Sequence, residues 1–281
     1  MASNATSRFP APTVIPGFGL TFGLTLIWLS VIVLIPISAL LLKAASISAE
    51  EFYNILTASR TLNALKLSFG LSFLAAIVNV VFGLIVAWTL TRYDFPGRRI
   101  ADAIVDIPFA LPTAVAGIAL ASLYAPQGWI GSLFAPLGIK IAFTPLGILI
   151  ALIFVGLPFI VRTVQPVLAD LDPELEQASA SLGASRWQTI RKVILPALFP
   201  AILTGFALAF ARAVGEYGSV IFIAGNIPNV SEIAPLLIVI RLEEFRYADA
   251  TAIAAIMLVA AFILLLVINR LQRLTGKRGG L

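Results

Sequence analysis

Cysteine and histidine are both absent from this chain of 281 residues. Their absence removes thiol nucleophiles, disulfides, imidazole bases and the commonest zinc ligands together. Most membrane-enzyme chemistry goes with them. Charge is scarce too: Asp, Glu, Lys and Arg make up 12% of the residues, against 60% hydrophobic. That is too little polar side chain to cover a water-facing surface of this size, which excludes an ordinary soluble domain. The net charge of +5 does not point to nucleic acid, because the basic residues sit beside apolar runs, where they orient a chain in a bilayer.

What the chain has instead is a series of uncharged stretches, each about 20 residues or longer and able to cross the hydrocarbon layer as a helix. Residues 1–17 are nearly uncharged and lead into an apolar stretch at 20–42. A signal peptide would have a shorter apolar region and a small-residue cleavage site, so this reads as an uncleaved first span. Residues 67–91 form the second span. The uncharged stretch 107–139 is too long for one helix and is interrupted by Ala125-Pro126-Gln127-Gly128-Trp129. It divides into a third span at about 102–123 and an interfacial or partly re-entrant segment. Residues 141–167, 196–222 and 250–269 are the fourth to sixth spans, with loops at 44–60 and 224–249. The expectation is an all-α integral membrane protein, a single transmembrane domain over 1–281 with about six helices.

Basic residues give the orientation. With both termini inside, the inner segments carry Arg8, then Arg92, Arg98 and Arg99, then Arg186, Arg191 and Lys192, then Arg270, Arg273, Lys277 and Arg278. The outer segments carry fewer: Lys43, Arg60, Lys140, Arg241 and Arg246. This asymmetry places both termini in the cytoplasm of a plasma (inner) membrane protein.

The longest polar region, 170–196, reads DLDPELEQASASLGASRWQTIRKVILP. Asp172 is a good N-cap, Pro173 suits the first helical position, and Glu174 and Glu176 favour the positive end of the helix. Gly183 stops that helix. Ser185 starts another, with Gln188 at the capping-box spacing. Two short helices joined at a glycine are expected to stand on the cytoplasmic face.

This segment resembles the cytoplasmic motif of bacterial ABC importer permeases: Glu-Ala-Ala, three residues, Gly, nine residues, then Ile, any residue, Leu, Pro. Here the string is Gln177-Ala178-Ser179, Gly183, then Val193, Ile194, Leu195 and Pro196. Gln177 stands where the family has Glu, with Glu176 one residue earlier, and Ser179 replaces the second Ala. The resemblance implies the MetI-like, type I permease architecture. It also implies that Glu176, Gln177, Ala178, Ser179, Gly183, Ser185, Arg186, Leu195 and Pro196 belong to a coupling element that docks in a groove of a separate ATPase. ATP and Mg would bind that partner, leaving this chain without catalytic, cofactor or metal residues. The phosphate-cradling G-x-x-x-x-G-K-[ST] loop is indeed missing: Gly276-Lys277 lacks both the upstream glycine and the following hydroxyl.

The fifth span holds Arg212 and Glu216, four apart and therefore on one helical face. Charges at membrane depth face a cavity or a partner, so the two readings are a structural bridge or contact of Arg212 with an anion. Pro108 and Pro112, with Thr113, would free backbone groups and break the third helix near the pathway, as a simple kink or as a gate. The candidate pathway residues are Pro112, Thr113, Arg212, Glu216 and Tyr217.

The strings 110–117, 124–131, 210–218 and 223–228, with continuity through 241–245, are similar to the sulfate and molybdate group of permeases, and most similar to its T-type sulfate subunits. That similarity implies a homologous W-type permease, two copies of an ATP-binding subunit and an external sulfate- or thiosulfate-binding protein as partners. Molybdate or tungstate is the alternative cargo. A gradient-driven anion transporter would need intramembrane carboxylates, for which Asp106 and Glu216 are the candidates, and would leave the 170–196 motif unexplained.

Overall fold

The computed structural model of the protein describes residues 17–276, and every regular element among them is helical. Arg8, Lys277 and Arg278, which enter the charge count above, lie outside the described residues. The chain forms two compact units, one ending at Ile47 and the other beginning at Ser48. The first holds one 28-residue helix, α1 (Phe18–Ala45). Between Ser30 and Leu34 it widens into a π-type turn, just before Pro36, whose ring nitrogen has no hydrogen to donate to the preceding turn. The wider turn accommodates the missing donor and the helix continues.

Besides short turns of helix at Gly131–Phe134, Ala135–Leu137 and Val220–Ile223, the second unit comprises α2 (Ala49–Thr57), α3 (Ser59–Arg92), α4 (Arg98–Val105), α5 (Ile107–Ala110), α6 (Thr113–Tyr124), α7 (Pro145–Ala169), α8 (Pro173–Ser181), α9 (Arg186–Val214), α10 (Ala234–Glu243) and α11 (Tyr247–Gly276). Among the described residues, five helices are long and apolar enough to cross a membrane: α1, α3, α7, α9 and α11. The expected third span is not one helix. It is divided at Asp106 and again at Leu111–Pro112, where Leu111 is extended with φ −80° and ψ 133°, because a residue preceding proline is pushed out of the helical region. The 12 residues of α6 reach about 18 Å, short of the ~30 Å hydrocarbon layer.

The loops expected at 44–60 and 224–249 each contain a helix. For α2 the signal was local: Ser48 accepts a hydrogen bond from the Glu51 N–H and two acids occupy the first turn. For α10 it was Pro235 in the first turn.

Helices α3, α7 and α9 form the centre of the second unit. Lipid tails are as apolar as leucine, so helices associate there by close packing, which favours small residues. The buried face of α3 is such a face: Ala64, Ser68, Ser72, Ala75, Ala76, Asn79, Gly83 and Ala87. Large residues of the same helix, including Phe73, Ile77, Val81 and Phe82, are exposed, the reverse of a soluble protein. One point where all three meet closely is Ile160 of α7, which is fully buried. A Cβ on Gly83 of α3 would lie 2.7 Å from its Cγ2, and a Cβ on Gly205 of α9 would lie 3.0 Å from its Cα.

Gly83→Val is therefore expected to destabilise the protein by about 1–3 kcal/mol through overpacking, read as a lower melting temperature of the detergent-solubilised chain. Gly70→Val, on the same helix with open space around its Cα, should melt within a degree or so of wild type.

Candidate functional site

The 170–196 segment is built as its caps dictate. The Asp172 carboxylate accepts from the Glu174 N–H at 2.9 Å, Pro173 opens α8, and Ser181 closes it. Gly183 then takes φ +79°, a left-handed turn that glycine adopts without a Cβ clash. Ser185 and Gln188 form the reciprocal capping box, with bonds of 3.3 and 2.8 Å. Across the bend the hydroxyls of Ser179 and Thr189 lie 2.8 Å apart, so α8 is tied to the start of α9.

One expectation needs correcting. The second helix of this segment is not a separate short helix: it is the beginning of α9, which runs unbroken into the fifth span. A π-type turn at Ile190–Ile194 precedes Pro196 as the one in α1 precedes Pro36, and by the same physics the missing donor is passed over. Leu195 and Pro196 thus lie inside a continuous helix. A push on the segment reaches the membrane through a rigid element.

The outward face carries Gln177, Ala178 and Arg186, all exposed, with Leu182 and Trp187, which are 88% and 66% exposed. Glu176 points elsewhere. It is half-buried and takes a 2.6 Å hydrogen bond from Arg92 at the end of α3.

The candidate pathway residues come together where two helices are interrupted. Helix α9 ends at Val214, and Gly215 to Ser219 are not helical; opposite lies the break at Leu111–Pro112 that begins α6. A Cβ on Gly218 would lie 3.0 Å from that of Thr113, and one on Gly117 would lie 2.8 Å from the Ser219 Cα. Only glycine allows so close an approach at these two positions. Glu216 is buried and hydrogen bonded to Arg212. Ser219 donates to it from both its backbone N–H and its hydroxyl, each at 2.9 Å. Thr113, which directly follows Pro112, faces Gly218, which directly follows Tyr217, while Arg212 joins the group through Glu216 and remains about one-third exposed.

Three further ion-pair clusters carry charges that the sequence had shown only as scattered residues. Arg60 binds the buried Glu232 with two hydrogen bonds of 2.8 and 2.6 Å. Arg162, inside the fourth span, grips both oxygens of Asp106 at 2.8 and 2.6 Å and reaches Asp102 at 2.7 Å, so α7 holds α4 and the turn that begins α5. Arg241 and Arg246 share Asp249 at the start of α11. A charge inside an apolar run, as at Arg162, was the available signal; its partners lie 56 and 60 residues away, beyond any local pattern.

Residues 79–278 match the sequence profile of the binding-protein-dependent transport system inner membrane components. The chain belongs to that family. It is 49% identical over 265 residues to the sulfate transport system permease protein CysT of Escherichia coli K12, covering 94% of this chain and 96% of that one. It is 52% identical over 249 residues to the protein of the same name from Synechocystis, covering 89% and 87%. Among solved structures, this inner membrane component resembles a chain of a bacterial ABC transporter involved in alginate import, with a TM-score of 0.75 at 18% identity over 91% of this chain and 96% of that chain. It also resembles a chain of the MetNI methionine ABC transporter, with a TM-score of 0.59 at 18% identity over 82% and 99%. The fold is that of the type I, MetI-like importer permeases.

In the membrane component, replacing one member of the Arg212–Glu216 pair leaves the other without its charge partner. Arg212→Leu should cost about 3 kcal/mol or more, because Glu216 is then buried and uncompensated, whereas the double variant Arg212→Leu/Glu216→Leu should recover most of that loss. Melting temperatures of the three proteins in detergent check this; equal losses in the single and double variants would mean that the pair is not what stabilises the break.

Proposed function

We propose that this chain is the T-type permease subunit of an ATP-driven importer for sulfate, with thiosulfate as a second cargo. The observation that carries the reading is near-full-length similarity at about half identity to the Escherichia coli and Synechocystis sulfate permeases. The 170–196 segment is the coupling element: α8, the Gly183 bend and the start of α9 form a braced projection whose exposed Leu182 and Trp187 offer an apolar contact to a separate ATPase. Both termini lie in the cytoplasm, on the side where the basic residues concentrate.

The rest of the machine follows from this reading. A homologous W-type permease completes the pathway, two ATP-binding subunits bind ATP and Mg, and an external binding protein delivers the anion. Closure of the ATPase pair favours one arrangement of the spans over the other, which is how binding energy on one side reaches the opposite side. The facing interruptions at Leu111–Pro112 and Gly215–Ser219 are the part of the pathway that changes shape. Arg212 supplies a cation beside it, through its pair with Glu216.

Affinity purification from the native membrane should recover an ATPase and a second permease, with ATP hydrolysis stimulated by sulfate-loaded binding protein. A chain that purifies alone and hydrolyses nothing in their presence contradicts the proposal. Gly183→Pro, which cannot adopt the +79° turn, should cut sulfate uptake by roughly tenfold or more while leaving the melting temperature of the spans near wild type. Normal uptake and normal ATPase co-purification in this variant would remove the coupling role from the segment.

A further inference from the structure

The acid of the 170–196 segment stands one residue earlier than in the permease motif it resembles, and the structure gives that shift a consequence. One residue along an α-helix turns a side chain by about 100°. Gln177 and Ala178 therefore lie on the exposed side of α8, while Glu176 is turned inward and half-buried. There it meets Arg92 of α3 at 2.6 Å. Arg92 is itself held in place: it lies in the last turn of α3, where the helix dipole favours a cation, and its guanidinium sits 5.8 Å from the centre of the Trp88 ring.

We infer that the Arg92–Glu176 pair is a second mechanical link between the coupling segment and the membrane core, with Glu176 and Arg92 acting as positioning residues for transport. The inference rests on the coupling role proposed for 170–196. Without the pair, a displacement of α8 reaches the spans through the Gly183 bend, the Ser179–Thr189 contact and α9. With it, the same displacement also pulls on the end of α3. Helix α3 packs against both α7 and α9, and Gly83 of α3 and Gly205 of α9 both close on Ile160 of α7, so the two routes converge on one rigid core. The side of α8 presented outward carries Gln177 in place of an acid, which leaves its contact with an ATPase neutral at that position.

The test uses the assembled transporter, with permeases, ATPase and binding protein, in proteoliposomes, and reads sulfate imported per ATP hydrolysed. Arg92→Glu and Glu176→Arg should each lower that ratio by about fivefold or more, the scale of a modest coupling between two sites, while the ATPase still co-purifies. The exchanged pair Arg92→Glu/Glu176→Arg should restore most of it. Arg92→Lys, which keeps the charge that pairs with Glu176 though not the planar group over Trp88, should fall less than Arg92→Glu, and melting temperatures guard against variants that fail for want of folding. An unchanged ratio in both single variants, with the ATPase bound, overturns the link but leaves the coupling role standing. Loss of ATPase binding in Glu176→Arg that the exchange does not repair also overturns it, since Glu176 would then be a contact to the ATPase. Failure of the ATPase to co-purify with the wild-type chain would remove the reading on which the link depends.

Discussion

The close approach of three helices at Ile160 is the constraint on which the rest of the molecule depends. In hydrocarbon no difference in apolarity drives helices together, so the gain comes from dispersion contacts, which fall away within a fraction of an ångström. Gly83 and Gly205 supply two concave surfaces and Ile160 fills both. Because α3, α7 and α9 are held at that spacing, their charged side chains are placed as well: Arg92 at the end of α3, Arg162 within α7, and Arg212 near the end of α9. The site is positioned by apolar packing more than by its own charges.

Those charges follow a single rule. Each carboxylate that the fold buries is supplied with a guanidinium: Glu216 with Arg212, Glu232 with Arg60. An unpaired charge at this depth would be far more costly than the pairs are favourable, so the pairs secure the arrangement of the breaks and helix ends more than they add stability. The same arithmetic explains the double hydrogen bond from Ser219 to Glu216, which satisfies acceptor capacity that Arg212 alone leaves unfilled.

Proline acts differently at different places in one chain: Pro158, Pro166 and Pro200 sit inside regular helix. At Pro36 and Pro196 a wide turn lets the helix continue, and at Pro112 the backbone leaves the helix altogether. The difference is in the surroundings. Opposite Pro112 lie the non-helical residues 215–219, and Gly117 and Gly218 let the two interruptions meet at backbone distance. In α9 the helix runs on through Pro196. A continuous helix suits the transmission of a displacement; a meeting of two breaks suits a change of shape.

The amino-acid sequence by itself determined the membrane class, the positions of α1, α3, α7, α9 and α11, the caps of α8 and α9, and the turn at Gly183. All of these rest on signals confined to a few neighbouring residues: uninterrupted apolar length, an N-cap oxygen, a residue free to take positive φ. It also contained α2, through Ser48 and its two following acids, although the polarity of that stretch disguised a helix as a loop. Only the tertiary structure decided that the break at Leu111–Pro112 meets the one at Gly215–Ser219, and that Arg92, Arg162 and Arg60 have the partners they have. Those outcomes depend on residues 56 to 172 positions apart being brought within hydrogen-bond distance by helix packing, and no local pattern records which distant surface a side chain will meet.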